Sequence, residues 1–89
     1  MKAVISVIGK DRVGIIAKVS GILSEANANI LDISQTIMQD IFTMVLISDV
    51  SSANVGFTEL KEKLTKAGEE LGVSVSVQHE DLFHSMHRI

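Results

Sequence analysis

Hydrophobic residues follow six separate patterns along the chain, and each pattern predicts one strand or helix. The segment KAVISVIG, residues 2–9, is short and β-branched and ends at Gly9, which predicts a buried strand. Apolar residues then recur at spacings of three and four over 13–28, which predicts an amphipathic helix. Its apolar face consists of Ile15, Ile16, Val19, Ile22, Leu23 and Ala26. Asp11 is the predicted N-cap, because its side chain can accept a hydrogen bond from the first turn.

The next two patterns predict a β-hairpin. Residues 29–40 alternate between apolar and polar side chains, which is typical of a half-exposed strand. The predicted apolar face consists of Leu31, Ile33 and Ile37, and the predicted polar face of Asp32, Ser34 and Thr36. The apolar segment 41–50 follows, and only Gln39 and Asp40 are left to form the turn. So short a connection predicts an antiparallel pair.

In the second half of the chain, a loop, a helix and a strand are predicted again in that order. Residues 51–56 form a predicted loop, and apolar residues at helical spacing follow over 57–71 until Gly72 stops the helix. This second apolar stripe consists of Phe57, Leu60, Leu64, Ala67 and Leu71. Residues 73–79 alternate as a strand, and the tail from about residue 80 has no clear period.

The order strand, helix, strand, strand, helix, strand predicts the fold class. This is the order of an α+β, ferredoxin-like βαββαβ sandwich, in which two helices cover one face of a four-stranded antiparallel sheet. Right-handed crossovers place the first and third strands in the centre and the second and fourth at the edges. Residues 1–89 contain no linker or repeat and form a single predicted domain.

The predicted second strand is a long edge strand without proline or lysine, the residues that usually prevent edge pairing. We therefore predict a homodimer, in which two copies pair through this strand across a two-fold axis and form a continuous eight-stranded sheet. The alternative is that Asp32 and Gln39 simply blunt the edge.

Composition excludes several classes of function. The chain of 89 residues has a formal charge of −3 from 8 basic and 11 acidic residues, and phenylalanine is its one aromatic type. Without a basic stripe or stacking rings, we expect no binding of nucleic acid. Without cysteine, the natural compartment is a reducing cytosol. No apolar run reaches the length of a membrane span or a signal-peptide core, so we expect a cytoplasmic protein without membrane contact.

The segment GKDRVGI, residues 9–15, joins the first strand to the first helix and is the main candidate for chemistry. Gly9 and Gly14 have the spacing of a P-loop, but Ile15 and Ile16 replace its lysine and hydroxyl residue. A metallochaperone of this fold carries loop cysteines, and this chain has none. An acylphosphatase uses a loop arginine, for which Arg12 would serve, but its third-strand asparagine is missing. We therefore predict no enzyme, with a small acylphosphatase-like hydrolase as the least favoured alternative.

What remains in this loop is the start of a helix. Its unpaired N–H groups and the helix dipole favour an anion such as a carboxylate, and Asp11 beside them suits an ammonium group. A site with both signs of charge suits a free amino acid. The alternative is structural: Gly9 ends a strand, Asp11 caps the helix and Arg12 is solvated.

The stretch DRVGIIAKVSGILSEANANILDISQ, residues 11–35, resembles the signature of the ACT domain. The matching positions are Asp11, Arg12, Gly14, Asn29 and Ile30. The order of strands and helices extends the resemblance over essentially the whole chain. Within the family, the chain resembles a small bacterial and archaeal group of stand-alone ACT proteins. It is also similar to the tandem ACT units of the glycine cleavage system transcriptional repressor.

The resemblance implies a regulatory module that binds an amino acid and signals to a partner protein, without a cofactor. ACT ligands bind between the loop after the first strand of one subunit and the second strand of its neighbour. The ligand-binding residues implied here are Lys10, Asp11, Arg12, Val13, Gly14, Ile15, Asn29, Ile30, Leu31 and Asp32. The amides of Gly14 and Ile15 would bind the carboxylate of the ligand. Its ammonium group would be bound by Asp11 or by a backbone carbonyl of the second strand. The alternative is a ligand-free dimerisation or assembly module.

The tail HEDLFHSMH contains three histidines, His79, His84 and His87, next to two carboxylates. Imidazole and carboxylate together suit zinc or nickel, but an H-x-x-H spacing alone is a weak signal of a metal site. The alternative is that the apolar tail residues pack a short helix onto the sheet or a partner. These residues are Leu82, Phe83, Met86 and Ile89.

Overall fold

The computed structural model describes residues 1–80 and confirms the predicted order of elements. These elements are β1 (Lys2–Lys10), α1 (Ile15–Glu25), β2 (Asn29–Met38), β3 (Ile41–Asp49), α2 (Phe57–Leu71) and β4 (Val73–His79). The strands form one antiparallel sheet in the order β2-β3-β1-β4, so the predicted centre and edges of the sheet are confirmed. This is the predicted ferredoxin-like fold. Within residues 1–80, neither helix is both long enough and apolar enough to cross a membrane.

The hydrophobic core lies between the central strands and the two helices. Alternate residues of β1, namely Ala3, Ile5 and Val7, are fully buried. They pack in one cluster with alternate residues of β3 and with the predicted stripes of the helices. The members from these three elements are Phe42, Met44, Leu46, Ile15, Val19, Leu23, Leu60 and Leu64. Burying each of the larger side chains stabilises the fold by about 1.5–3 kcal/mol.

The first helix is shorter than the predicted 13–28, and its N-cap is Gly14 instead of Asp11. Gly14 has φ +97°, a left-handed conformation that glycine adopts without the strain of a Cβ atom. The N-cap prediction for Asp11 is therefore wrong, because the chain turns into the helix three residues later. Ile16 is also misassigned to the core face, since its side chain is 39% exposed.

The predicted hairpin is confirmed, with Met38 paired to Ile41 and only Gln39 and Asp40 between them. The prediction that β2 is half exposed is wrong, because all ten of its residues are exposed. The apolar core lies over β1 and β3, and β2 extends beyond it.

A β-bulge between Ile30 and Asp32 changes the predicted faces of β2. Ile30 pairs with Ser48, which is fully buried on the helix side of the sheet. Paired residues share a face, so Ile30 takes the place that simple alternation assigns to Leu31.

Helix α2 packs unusually close to β4. An ideal Cβ atom on Gly68 would lie 2.5 Å from Cγ2 of Val75 and 3.0 Å from the carbonyl oxygen of Val73. The absence of a side chain at Gly68 is therefore what lets the helix approach the edge strand.

We expect Gly68→Ala to destabilise the protein by about 1–3 kcal/mol, because the methyl group must displace a strand in a packed core. Urea denaturation measures this change. Gly21→Ala is the matched control, since a Cβ atom on Gly21 in α1 meets nothing within 4 Å. It should stabilise the protein by about 0.5–1 kcal/mol through helix propensity. Equal stability of the two variants would contradict the packing argument.

Candidate functional site

The loop between β1 and α1 is fixed beside the turn that joins β2 to β3. Lys10 at the end of β1 pairs with Ile41, the first residue of β3. The amide of Asp11 donates a hydrogen bond of 2.7 Å to the carbonyl oxygen of Asp40 in the turn. These contacts hold the loop at the last third of β2, where that strand enters the hairpin.

A cleft of about 220 Å³ lies between this loop, the start of α1 and the last third of β2. Its lining residues are Asp11, Arg12, Gly14, Ile15, Ile16, Ala17, Gln35, Ile37 and Phe42. Ile15 and Phe42 are buried core residues, so this part of the lining is held by packing. A cleft of this volume, open to solvent in one protomer, can admit a small metabolite. Sites for drug-sized ligands span about 300–1,000 Å³.

The polar side of the cleft is the N-terminus of α1. The first hydrogen bond of the helix runs from the amide of Lys18 to the carbonyl oxygen of Gly14 at 2.9 Å. The amides of residues 15–17 therefore have no acceptor within the helix. Among residues 1–80, no side chain caps this end, and the first turn of the helix contains no acidic residue. The positive end of the helix dipole is thus open to an anion at the cleft.

Arg12 contacts the other helix. Its Nη1 atom donates a hydrogen bond of 2.8 Å to the carbonyl oxygen of Leu71, the last residue of α2. A guanidinium at this position satisfies a carbonyl of the helix end and opposes the negative end of its dipole. Arg12 is exposed, as the structural alternative expected, and it also makes this contact with the end of α2. No local pattern signals this contact, because 59 residues separate the partners.

The structure brings together only part of the predicted ligand-binding set. From the loop segment 10–15, it places Asp11, Arg12, Gly14 and Ile15 in the cleft. Val13 lies in the same loop with its side chain 97% exposed, and Lys10 lines an adjacent cleft with Arg12 and Gly72.

The second-strand part of the predicted set, 29–32, lies at the opposite end of β2, where it pairs with 47–49. Within one protomer these residues do not line the cleft. The strand residues that do are Gln35 and Ile37, joined by Phe42 of β3, and sequence reasoning missed all three. The predicted hairpin could have identified the strand residues, because the antiparallel strand order brings the end of β2 next to the loop after β1.

His79 stacks on Phe57, with ring centroids 4.1 Å apart and ring planes inclined by 25°. Within residues 1–80, no group of three histidine, cysteine, aspartate or glutamate residues is placed to hold a metal ion. The other two candidates, His84 and His87, lie outside the described residues.

Comparisons with known proteins agree with this fold. The family model of the ACT domain matches residues 2–78. A UPF0237 protein of Methanocaldococcus jannaschii is 61% identical over 88 residues, which cover 99% of this chain and 98% of that protein. The structure of an ACT domain protein from Streptococcus pneumoniae is 41% identical, with a TM-score of 0.80 and coverage of 93% of both chains.

A third comparison is with a structure described as a glycine cleavage system transcriptional repressor. It is 24% identical, has a TM-score of 0.77, and is matched over 89% of this chain and 47% of that chain. At this identity the likeness shows the fold alone.

We expect Arg12→Gln to lower the free energy of unfolding by about 1 kcal/mol, because the end of α2 loses a charged hydrogen-bond donor. Chemical denaturation measures the loss, which should shrink in high salt as the charge is screened. Lys18→Gln on the exposed side of α1 is the control and should stay within about 0.5 kcal/mol of the parent. An unchanged stability of Arg12→Gln would show that the contact with Leu71 contributes nothing.

Proposed function

The chain belongs to the ACT-domain family, and on that premise we propose that it binds a free amino acid as a homodimer and signals that binding to a partner protein. ACT domains are regulatory modules that bind small molecules. The observation that carries the proposal is the cleft in which the uncapped N-terminus of α1 faces the exposed strand β2.

The exposed edge supports the homodimer. Among residues 1–80, six of the ten exposed large hydrophobic side chains belong to β2 and the first position of β3. They are Ile30, Leu31, Ile33, Ile37, Met38 and Ile41. Pairing of two β2 strands across a two-fold axis satisfies the unpaired backbone groups of the edge and removes apolar surface from water.

The same pairing explains how the two halves of the predicted ligand-binding set meet. Antiparallel strands related by a two-fold axis near the middle of β2 lie head to tail. The start of one strand then lies beside the end of the other. In the proposed dimer, segment 29–32 of the partner subunit approaches the cleft beside Gln35 and Ile37. Each cleft is then completed by the neighbouring chain.

The charges at the cleft support a zwitterionic ligand. The unpaired amides at the start of α1 would receive the carboxylate, and the carboxylate of Asp11, which also lines the cleft, would receive the ammonium group. A backbone carbonyl of the partner's β2 is the alternative acceptor. Each charged end of a free amino acid thus has a counterpart within one small volume.

A ligand at the subunit interface provides a physical basis for regulation. Its binding shifts any equilibrium between subunit arrangements that it binds unequally, and a partner protein can recognise the favoured arrangement. The proposal places this module in the cytoplasm, in keeping with a chain that has no cysteine.

A ligand-free assembly module is the second candidate, because the exposed β2 edge supports pairing whether or not the cleft is filled. Catalysis is not part of the proposal. An acylphosphatase-like mechanism needs the loop arginine at the substrate, and here Arg12 is engaged with the end of α2.

We expect Ile33→Lys to convert the dimer into monomers, because it places a charge in the middle of the edge that must pair. Light scattering after size-exclusion chromatography gives the mass. Ile8→Lys is the matched control, since Ile8 is 51% exposed and Ile33 43%, but Ile8 lies on central strand β1. This control should remain dimeric. A monomeric parent, or a dimeric Ile33→Lys variant, would contradict pairing through β2.

A second prediction separates the two candidate functions. Ala17→Glu adds a negative charge to the first turn of α1, so it should raise the stability of the unliganded protein by about 0.3–1 kcal/mol relative to Ala17→Gln. The same charge should repel the ligand carboxylate and weaken amino-acid binding by about tenfold, or 1.4 kcal/mol.

Thermal melting of the parent against each of the twenty amino acids identifies the ligand, and calorimetry then compares the two Ala17 variants. A ligand present at 100 times its Kd should stabilise the protein by about 2.7 kcal/mol. If no amino acid changes the melting temperature while Ala17→Glu is still more stable than Ala17→Gln, the assembly module is the better description.

A further inference from the structure

We propose that the C-terminal segment, residues 81–89, docks on the outer face of the sheet, which is the face opposite to the helices. There it covers the apolar positions Val4 of β1 and Ile47 of β3. The inference goes beyond the proposed function, because this docking requires neither a ligand nor a second subunit.

Val4 is buried without belonging to the core on the helix side of the sheet. Its side chain is only 3% exposed, but it is not a member of the core cluster. Side chains of a strand alternate between the two faces, and its neighbours Ala3 and Ile5 pack with the helices. Val4 therefore lies on the outer face. Within residues 1–80, both helices pack on the other face, so neither of them explains this burial.

The almost complete burial is confined to one end of the outer face. Ile8 lies on the same strand and the same face, but its side chain is 51% exposed. Val4 pairs with Ile47 of β3 and with Gln78 of β4, and both partners are half-buried. Flanking side chains on a sheet shield a residue from its sides, whereas almost complete burial also requires a group above it.

The C-terminal segment begins at this same end of the sheet. β4 ends at His79, directly after the residue that pairs with Val4, and Glu80 is already helical. The apolar residues that follow have the spacing of one face of a helix that continues from Glu80. They are Leu82, Phe83, Met86 and Ile89.

The spacing of these apolar residues also matches the spacing of the strands. A helix rises about 1.5 Å per residue, so three residues advance it by about 4.5 Å, close to the distance of about 4.8 Å between neighbouring strands. A helix that starts beside β4 and crosses the sheet therefore places Phe83 over β1 and Met86 over β3. These are the strands that contain Val4 and Ile47.

A double-mutant cycle in the full chain tests the contact between Val4 and Phe83. Val4→Ala and Phe83→Ala should each raise the equilibrium constant of unfolding by about tenfold or more, because each removes buried apolar atoms. In the double variant, the increase should be at least about threefold smaller than the product of the two single effects, because the same contact is lost only once. Urea denaturation measures the three constants.

Two matched controls separate docking from general destabilisation. Arg88→Ala changes the same segment on the opposite side of the helical pattern and should leave the constant within about twofold of the parent. Ile8→Ala changes the far end of the outer face, and its effect should multiply with that of Phe83→Ala. If Phe83→Ala is as stable as Arg88→Ala, or its effect multiplies fully with that of Val4→Ala, the inference is overturned. Val4 would then be shielded by Ile47 and Gln78 alone.

A milder variant keeps the test decisive if the double variant does not fold. Phe83→Leu preserves an apolar side chain, and its amide signals can be compared with those of the parent by nuclear magnetic resonance. Outside the C-terminal segment, the shifts should concentrate around Val4 and Ile47. Shifts confined to the segment itself or to the helices would contradict docking on the outer face.

The same cycle identifies which chain supplies the cover. It is repeated in Ile33→Lys, the variant expected to be monomeric, where the coupling between Val4 and Phe83 should persist. Coupling that is lost in monomers would assign the cover to the C-terminal segment of the partner subunit and overturn docking within one chain. Neither result depends on amino-acid binding, so the proposed function can fail while this inference stands.

Discussion

The two helices cover only part of one face of the four-stranded sheet, and the rest of the structure depends on this incomplete cover. The core is built where the helices lie over β1 and β3, whose inward-facing side chains are almost completely buried. β2 receives no comparable cover and is exposed along all ten residues. A chain of 89 residues can supply only a thin core. The uncovered strand therefore follows from the architecture, and it provides both the wall of the cleft and the proposed interface.

The loop after β1 complements that uncovered strand. The hydrogen bond from Asp11 to Asp40 holds the loop at the hairpin, and Gly14 turns the chain so that α1 begins only at Ile15. The amides of the first turn are left uncapped at the position where the end of β2 is exposed. The polar end of the helix and the apolar side chain of Ile37 thus line the same cleft. This arrangement fits a ligand that has one charged end and one apolar end.

The sequence predicted the elements and the sheet order because both follow from local periodicity and the handedness of crossovers. It also predicted that β2 is a long edge strand without proline or lysine. What it missed depends on contacts between distant segments. Alternation in β2 could not reveal the bulge near Leu31 or show that the helices leave all ten residues of the strand exposed. Helical spacing placed Ile16 in the core, although its side chain is 39% exposed and lines the cleft.

The bulge near Leu31 also limits how an assembly of this protein can grow. A bulge breaks the regular ladder of backbone groups and increases the local twist, so the segment after it offers the longest regular stretch for an incoming strand. In the proposed dimer the two copies use the same β2 edge on each chain, so neither β2 strand is available to a third chain. The irregularity therefore makes β2 a poorer template for regular, open-ended strand stacking, although the strand is exposed and rich in isoleucine.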